Sequence, residues 1–125
     1  MSAKEILIVD DQQGIRLLLN EVFKKEGFHT HLAANGFDAL KIAQSQKLDC
    51  VLLDMKLPGM DGIEILTHLK EAQLDLPVFM MTAYVEQDLI EQAKSLGVAK
   101  YFMKPFNIFE VRDEVKNTLL AMGKI

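Results

Sequence analysis

The stretch Ile6-Leu7-Ile8-Val9-Asp10-Asp11 is a run of four apolar residues that ends on two carboxylates. Three later runs have the same form, because each is short, apolar and followed by a polar side chain. They are residues 50–53 before Asp54, residues 78–81 before Thr82, and residues 101–103 before Lys104. If the runs are neighbouring parallel strands, their carboxyl ends share one edge of a sheet. The pattern therefore predicts a crevice that collects three carboxylates, one hydroxyl and one ammonium.

Helix-like stretches separate the apolar runs, which predicts an α/β fold with five parallel strands and five helices on both faces of the sheet. Runs 6–9, 50–53 and 78–81 are apolar throughout, as expected of strands covered on both faces. Residues 28–32 alternate instead, which predicts an edge strand with one wet face. Periodicity does not fix the order of the strands, and right-handed crossovers only restrict it. We therefore adopt the order 2-1-3-4-5 of flavodoxin-like, doubly wound sheets. It makes the first and third strands neighbours at the switch point, where open parallel sheets bind ligands.

Helix start and stop signals fit the gaps between the runs. Residues 12–26 are predicted to form the first helix, which Gly27 ends in a left-handed conformation. A fourth helix is expected from about Val85 to Gly97, and its thin apolar face predicts the loosest packing of the five. N-cap residues are expected to begin the second, third and fifth helices: Asn35, Asp61 and Asn107.

Length and composition narrow the class of protein. At 125 residues the chain has the usual size of one domain, so we expect a single domain over residues 1–125 with no effector domain. The net charge of −4 disfavours nucleic acid as a partner. No signal peptide or long apolar run is present, which predicts a cytoplasmic protein with no membrane partner. Cys50 lies in an apolar run and is predicted to be a buried, inert thiol. A monomer is the default expectation.

The three carboxylates Asp10, Asp11 and Asp54 would repel one another without a cation, which would raise at least one pKa. Mg²⁺ fits best because it takes hard oxygen ligands, needs only one or two carboxylates and keeps several waters. Mn²⁺ is also possible, whereas zinc would require nearby His or Cys ligands. The alternative is that Asp10 and Asp11 only cap the first helix, which leaves Asp54 unexplained.

The residues that end the third, fourth and fifth runs suggest phosphoryl chemistry. Asp54 could act as a nucleophile that forms an aspartyl-phosphate beside the cation. Lys104 could pair with a carboxylate before the reaction and with a phosphoryl oxygen after it, while Thr82 donates a hydrogen bond. Taken singly, each residue has a plainer interpretation: Asp54 as a metal ligand or turn former, Thr82 as a structural residue and Lys104 as a solvated cation. The Lys104–Pro105 bond could be cis, which would aim the lysine inward.

Residues 7–11, 53–62, 81–84 and 104–106 together resemble the receiver domain of two-component response regulators, with every motif in order along the whole chain. The resemblance implies Mg²⁺ at Asp11, Asp54 and the backbone carbonyl of Lys56, with Asp10 acting through water. It implies that Asp54 accepts phosphate from the phosphohistidine of a sensor histidine kinase. Thr82 and Lys104 would sense the product, an aromatic such as Tyr101 would rotate on activation, and Lys104–Pro105 would be cis.

A second set of residues, within 6–27, 55–56 and 60–66, resembles the single-domain regulators of sporulation phosphorelays in spore-forming bacteria. That resemblance implies transfer of phosphate from a sensor kinase to a histidine phosphotransferase, with aspartyl-phosphate phosphatases as further candidate partners. Gln13 and Tyr101 depart from its pattern. The candidate partner surface contains residues near the crevice: Gln12, Gly14, Ile15, Leu18, Tyr84, Pro105 and Phe106. For Ile15 and Leu18 the alternative is core packing.

Other functions compete with this interpretation. A haloacid-dehalogenase-type phosphatase would carry its nucleophile on the first strand as Asp-x-Asp, whereas this chain has Asp10-Asp11-Gln12. A flavin module would require a phosphate-binding loop after the first strand, where two aspartates would repel a phosphate. A chemotaxis- or stress-type regulator that acts by protein contact is the nearest alternative. The protein is expected to catalyse its own Mg²⁺-dependent phosphorylation rather than a metabolic reaction. His29, His31 and His68 are expected to face solvent without a metal role.

Overall fold

A computed structural model describes residues 3–73, 75–83 and 86–125. Over these residues the chain forms five strands that alternate with five helices. The strands are β1 (Glu5–Val9), β2 (His29–Ala33), β3 (Cys50–Asp54), β4 (Val78–Thr82) and β5 (Lys100–Met103). The helices are α1 (Gln13–Lys25), α2 (Gly36–Ser45), α3 (Gly62–Ala72), α4 (Gln87–Ser95) and α5 (Ile108–Ala121).

The five strands form one parallel sheet in the order β2-β1-β3-β4-β5, which confirms the predicted topology. The central pair places Ile8 beside Leu52, and the next pair places Asp54 beside Met81. From β1 the chain continues to β2 on one side of β1, and it then forms β3 on the other side. The carboxyl ends of these two strands therefore border the switch-point crevice.

Side chains that alternate along the buried strands build two apolar layers. Ile6 and Ile8 face the layer that includes α1 and α5, whereas Leu7 and Val9 face the layer that includes α2, α3 and α4. All four are completely inaccessible to solvent, as a strand covered on both faces requires. Cys50 is buried in the first of these layers, and burial raises the pKa of its thiol, as expected of an inert cysteine.

The helix signals are confirmed where the structure describes them. Asn35, Asp61 and Asn107 each accept a hydrogen bond from a backbone N–H of the helix that follows. Gly27 has a φ of 87°, the left-handed conformation predicted at the end of α1. Helix α4 begins at Gln87, while Val85 lies outside the described residues. No described helix is long and apolar enough to cross a bilayer.

Strand β2 differs from its prediction. It begins one residue later, and its residues do not alternate cleanly between wet and dry faces. Thr30 donates a 2.6 Å hydrogen bond to Asn20 of α1 on one face, while His31 lies against Glu5 on the other. Both faces of the edge strand are therefore partly covered by neighbouring polar groups. The expectation that His29 and His68 face solvent is confirmed, but it is wrong for His31, which is mostly covered.

Candidate functional site

Three aspartates converge at the carboxyl ends of β1 and β3. Asp10 follows β1, Asp11 comes next, and Asp54 is the last residue of β3. One carboxylate oxygen from each lies within 4.8 Å of the others. Asp10 is completely buried and Asp54 nearly so, whereas Asp11 is exposed. The structure thus places together the acids that the strand ends predicted.

Lys104 brings a positive charge from the end of β5 into this cluster. Its Nζ atom lies 2.9 Å from Oδ2 of Asp10 and 3.4 Å from Oδ2 of Asp54. Its backbone N–H donates a 2.7 Å hydrogen bond to the carbonyl of Thr82, and the Lys104–Pro105 bond is cis, as expected. Thr82 ends β4 and is buried at the same edge of the sheet. The ammonium therefore offsets part of the repulsion between the two buried acids.

Asp54 has the perturbed carboxyl group of this cluster. Burial and, secondarily, the charge of Asp10 raise the pKa of Asp54 to about 6, although Lys104 and the backbone N–H of Lys56 act in the opposite direction. The prediction that at least one carboxyl pKa is raised is confirmed, with burial as the larger cause and repulsion from Asp10 as the second. The cluster is therefore poised to gain stability from an added cation.

Protein donors occupy both carboxylate oxygens of Asp10. The backbone N–H of Gln12 donates a 2.9 Å hydrogen bond to Oδ1, and Lys104 donates to Oδ2. Arg16 adds a 2.7 Å hydrogen bond from Nη1 to the Asp10 backbone carbonyl. Because Asp10 is held in this way, Asp11 and Asp54 are the carboxylates better placed to contact a cation directly.

Two of these anchoring residues have roles that the sequence analysis missed. The sequence predicts only a partner-surface role for Gln12, whereas the structure shows that its Oε1 atom accepts a 3.1 Å hydrogen bond from Lys104. The backbone bond from Gln12 to Asp10 had a sequence signal, since Asp side chains often accept from the backbone N–H two residues on. The side-chain contact with Lys104 had none. Arg16 carried no comparable signal, because its contact requires α1 to fold back over the end of β1.

The loop after β3 is held close to the sheet. Met55 donates a 3.0 Å backbone hydrogen bond to Met81, and Gly62 donates one of 2.9 Å back to Met55. A Cβ atom on Gly62 would lie 2.6 Å from the Met55 Cα, so a larger residue cannot fit there without moving backbone. This anchoring fixes the position of Lys56, whose ammonium lies 3.5 Å from a carboxylate oxygen of Glu86.

The donor set of the crevice fits a hard divalent cation. The opening has a volume of about 310 Å³, and carboxylate groups supply its anionic oxygens. Mg²⁺ prefers such oxygens and retains waters that need space, whereas no histidine lines the opening among the described residues to favour zinc. The residues that line it are Asp11, Gln12, Asp54, Lys56, Ala83 and Lys104.

Tyr101 connects β5 to the loop beside the crevice. Its ring packs against the core layer that contains α3, and its hydroxyl donates to Sδ of Met55 at 3.4 Å. Partial burial raises the pKa of this phenol. The side chain is turned inward, next to the residue that immediately follows Asp54.

The residues assigned to a partner surface fall into three groups. Gln12, Gly14, Leu18 and Pro105 are exposed, and Leu18 leaves 52% of its surface open to solvent. The alternative of core packing for Leu18 is therefore wrong. Ile15 and Phe106 are partly buried against the core layer of α1 and α5, so packing accounts for part of each side chain. Tyr84 lies outside the described residues.

Comparisons with known sequences agree with this arrangement. A family model, Response regulator receiver domain, matches residues 6–116. Sporulation initiation phosphotransferase F of Bacillus subtilis (strain 168) is 56% identical over 119 residues, which cover 95% of this chain and 96% of that protein. Regulatory protein AtoC of Escherichia coli (strain K12) is 39% identical, with 91% of this chain and 25% of that protein covered. The chain therefore spans nearly all of one relative and a quarter of the other.

Solved structures show the same architecture. A CheY-like response regulator receiver domain protein from Methanospirillum hungatei JF-1 superposes with a TM-score of 0.95 at 28% identity, covering 98% of both chains. A second match, also 28% identical, belongs to a complex of CheX and CheY with BeF3 and Mg²⁺ from Borrelia burgdorferi. Its TM-score is 0.87, and it covers 94% of this chain and 90% of that chain.

Proposed function

The chain belongs to the response regulator receiver domain family, and on that premise we propose that it accepts a phosphoryl group on Asp54 and relays it to a histidine phosphotransferase. One observation carries the proposal. The carboxylate of Asp54 is nearly buried at the switch point. One of its oxygens lies within 4.8 Å of a carboxylate oxygen of Asp10 and of one of Asp11, and its Oδ2 atom lies 3.4 Å from the Lys104 ammonium. This arrangement supports roles for Asp54 as the nucleophile, for the acidic cluster as the cation site and for Lys104 as the group that pairs with phosphate.

The residues that would hold Mg²⁺ are Asp11, Asp54 and the backbone carbonyl of Lys56, with Asp10 acting through a water. When bound, the cation would neutralise charge on the phosphoryl oxygens and on the carboxylates. Support comes from the donor set of the crevice and from the Borrelia burgdorferi neighbour, whose complex contains Mg²⁺ and BeF3. Mn²⁺ offers similar hard-ligand chemistry.

The positions of the side chains support the following transfer step. An oxygen of Asp54 attacks the phosphorus of a phosphohistidine, so that an O–P bond forms while the N–P bond breaks. The bonding electron pair returns to the imidazole of the donor, which is thereby released with a free nitrogen. Lys104 then pairs with a phosphoryl oxygen in place of a carboxylate, and the Thr82 hydroxyl donates to another. In the onward step a histidine nitrogen of the acceptor attacks the same phosphorus, and the Asp54 carboxylate is the leaving group.

Sequence similarity favours onward transfer of the phosphoryl group over a function in which the phosphorylated protein acts only by binding a partner. The chain covers 96% of a relative that is named a phosphotransferase and is 56% identical to it. A sensor histidine kinase and a histidine phosphotransferase are accordingly the proposed partners. Exposed residues of α1, Leu18 above all, supply an apolar surface on which such partners could dock.

A small-molecule donor tests the acceptor residue. The protein is incubated with acetyl phosphate and Mg²⁺, and the modified residue is located by borohydride trapping and mass spectrometry. Modification is expected at Asp54, and Asp54→Asn should abolish it. Asp113→Asn, which changes an exposed acid on α5, should leave it intact. Stable modification of another aspartate in the wild-type protein would contradict the assignment.

A second experiment tests the relay. Phosphorylated protein carrying labelled phosphate is mixed with a purified histidine phosphotransferase and with a variant lacking its acceptor histidine. Relay predicts that label moves only to the intact acceptor. If label is released only as inorganic phosphate while the two proteins form a stable complex, the contact-based alternative is the better description.

A further inference from the structure

Two histidines and a glutamate meet at the end of the sheet opposite the crevice. Glu5 begins β1 and pairs in register with His29, the first residue of β2. His31 follows two positions later, so its side chain leaves the same face of the strand. The five-residue length of β1 separates this group from the Asp10 cluster by about 17 Å.

Glu5 is the centre of the group. His29 Nδ1 lies 2.8 Å from Oε1 of Glu5, and His31 Nε2 lies 2.7 Å from the same oxygen. The two imidazole centroids are 4.8 Å apart. One ligand atom from each of the three residues lies within 4.8 Å of the other two. Three potential ligands therefore converge on one small volume.

We propose that Glu5, His29 and His31 form a second metal site, which binds a borderline transition-metal ion such as Zn²⁺. Two imidazole nitrogens and one carboxylate oxygen suit Zn²⁺, Cu²⁺ or Ni²⁺, whereas Mg²⁺ prefers an all-oxygen set. The site is independent of the phosphoryl chemistry proposed for Asp54. It supplies three protein ligands and leaves the remaining coordination positions to water or to a group from a partner.

Binding of Zn²⁺ would require only a small shift of the ligand atoms. Zinc bonds of about 2.0–2.2 Å place tetrahedral ligand atoms roughly 3.3 Å apart, so the histidine nitrogens must each move about 0.5 Å from Glu5. His29 has room to move because 63% of its side chain is exposed, while His31 and Glu5 are more confined at 15% and 24%. The ion would enter from the solvent side of His29.

The backbone beneath these side chains is held in place. The N–H of Glu5 donates a 2.7 Å hydrogen bond to Oδ2 of Asp49, and the N–H of His29 donates one of 2.9 Å to the carbonyl of Lys4. Parallel pairing of β1 with β2 fixes the remaining backbone of these residues. Because the three ligands lie on paired strands, little of the backbone has to become ordered when the ion binds.

The test is a calorimetric titration of the full chain with Zn²⁺ at neutral pH, in excess Mg²⁺ so that the Asp10 cluster does not compete. One Zn²⁺ per chain with a micromolar dissociation constant is expected. Substitution of a ligand, as His31→Gln or His29→Gln, should weaken binding by about tenfold or more. Because His29 is exposed, its variant retains the fold, which circular dichroism verifies. When Co²⁺ is bound in place of Zn²⁺, the wild-type protein should show the visible absorption bands of a tetrahedral site, and the ligand variants should not.

His68→Gln is the matched control. His68 Nδ1 lies 3.4 Å from a Glu71 carboxylate oxygen, an exposed pair that offers one imidazole only. Zinc affinity should be unchanged in this variant. The proposal is overturned if wild-type protein binds no Zn²⁺ at micromolar concentration. Equal affinity of His29→Gln and wild-type protein would overturn it as well, as would loss of binding in His68→Gln.

Discussion

Lys104 and Asp10 form an ion pair across the crevice, with the lysine Nζ atom 2.9 Å from Oδ2 of a completely buried carboxylate. The two residues are 94 positions apart in the sequence and meet because β5 and β1 end at the same edge of the sheet. The pair keeps the lysine within reach of Asp54 before any phosphoryl group arrives. The ammonium also compensates part of the charge of the two buried acids.

Removal of this ammonium should destabilise the metal-free protein. Lys104→Met leaves the buried carboxylates of Asp10 and Asp54 without their cation, and we expect the free energy of unfolding to fall by about 3 kcal/mol. Urea denaturation with a chelator present measures the change. Lys100→Met is the control, because Lys100 forms an exposed pair with Glu114 and should contribute little. Equal losses in the two variants would contradict a special role for the Lys104 pair.

The raised pKa of Asp54 predicts a pH dependence of stability. Its pKa is about 6 in the folded protein against an ordinary value of 3.8, so the folded state holds this proton more tightly than the unfolded chain. Stability should therefore fall as pH rises from about 4 to about 6 and stay level above that range. Relative to Asp54→Asn, the wild-type protein should lose about 1–2 kcal/mol between these limits, a figure reduced for partial solvation. Parallel unfolding curves of the two proteins across pH 4 to 7.5 measure this, and a constant difference would refute it.

Removal of the exposed carboxylate of Asp11 should relieve part of the charge repulsion within the cluster. Asp11→Ala removes one of three carboxylates whose oxygens converge within 4.8 Å, so the variant should melt at a higher temperature than wild-type protein without Mg²⁺. It should also fail to be phosphorylated by acetyl phosphate. Calorimetry with and without Mg²⁺ measures the first effect. Asp113→Ala should not raise the melting temperature, and a lower value for Asp11→Ala would argue against crowding.

Lys56 lines the crevice and forms an ion pair with Glu86, and we expect this pair to shield the aspartyl-phosphate from water. Lys56→Asn should shorten the lifetime of the phosphorylated state, and Glu86→Gln should act in the same direction. Since exposed ion pairs contribute about 0.2–1 kcal/mol, the expected acceleration is up to about fivefold. Release of labelled phosphate gives the rate.

Lys100→Asn is the control for shielding. It breaks another exposed ion pair, with a separation of 3.4 Å to Glu114, away from the residues that line the crevice. Its phosphate lifetime should match that of the wild-type protein. An unchanged lifetime in Lys56→Asn would exclude the shielding role.

The glycine that begins α3 should not tolerate a side chain. In Gly62→Ala the new Cβ would lie 2.6 Å from the Met55 Cα, which forces backbone to move and costs about 2 kcal/mol of stability. Gly14→Ala is the matched control, since open space surrounds Gly14 in α1 and alanine favours a helix by about 0.5–1 kcal/mol. Thermal unfolding of the two variants should shift in opposite directions. A stabilised Gly62→Ala would show that the loop can yield.

Much of the fold was readable from local patterns. Uniformly apolar runs identified β1, β3 and β4 because strands covered on both faces leave no position for a polar side chain. The same runs predicted where Asp54 and Thr82 would lie, since each directly follows its run. Strand β2 was less well predicted, because an edge strand is governed by its neighbours more than by its own alternation. Its partner contacts, such as Thr30 with Asn20, involve residues whose proximity no local pattern encodes.

The chain's own order of residues dictated which side chains would stand at the ends of the strands, and hence the kinds of group available to the crevice. Tertiary structure decided which of those groups touch. The pairing of Lys104 with Asp10, the anchoring of Asp10 by Arg16, and the meeting of His31 with Glu5 all depend on strand neighbours and register. Those are set by burial of apolar surface across the entire sheet, a long-range balance that short stretches of sequence do not contain.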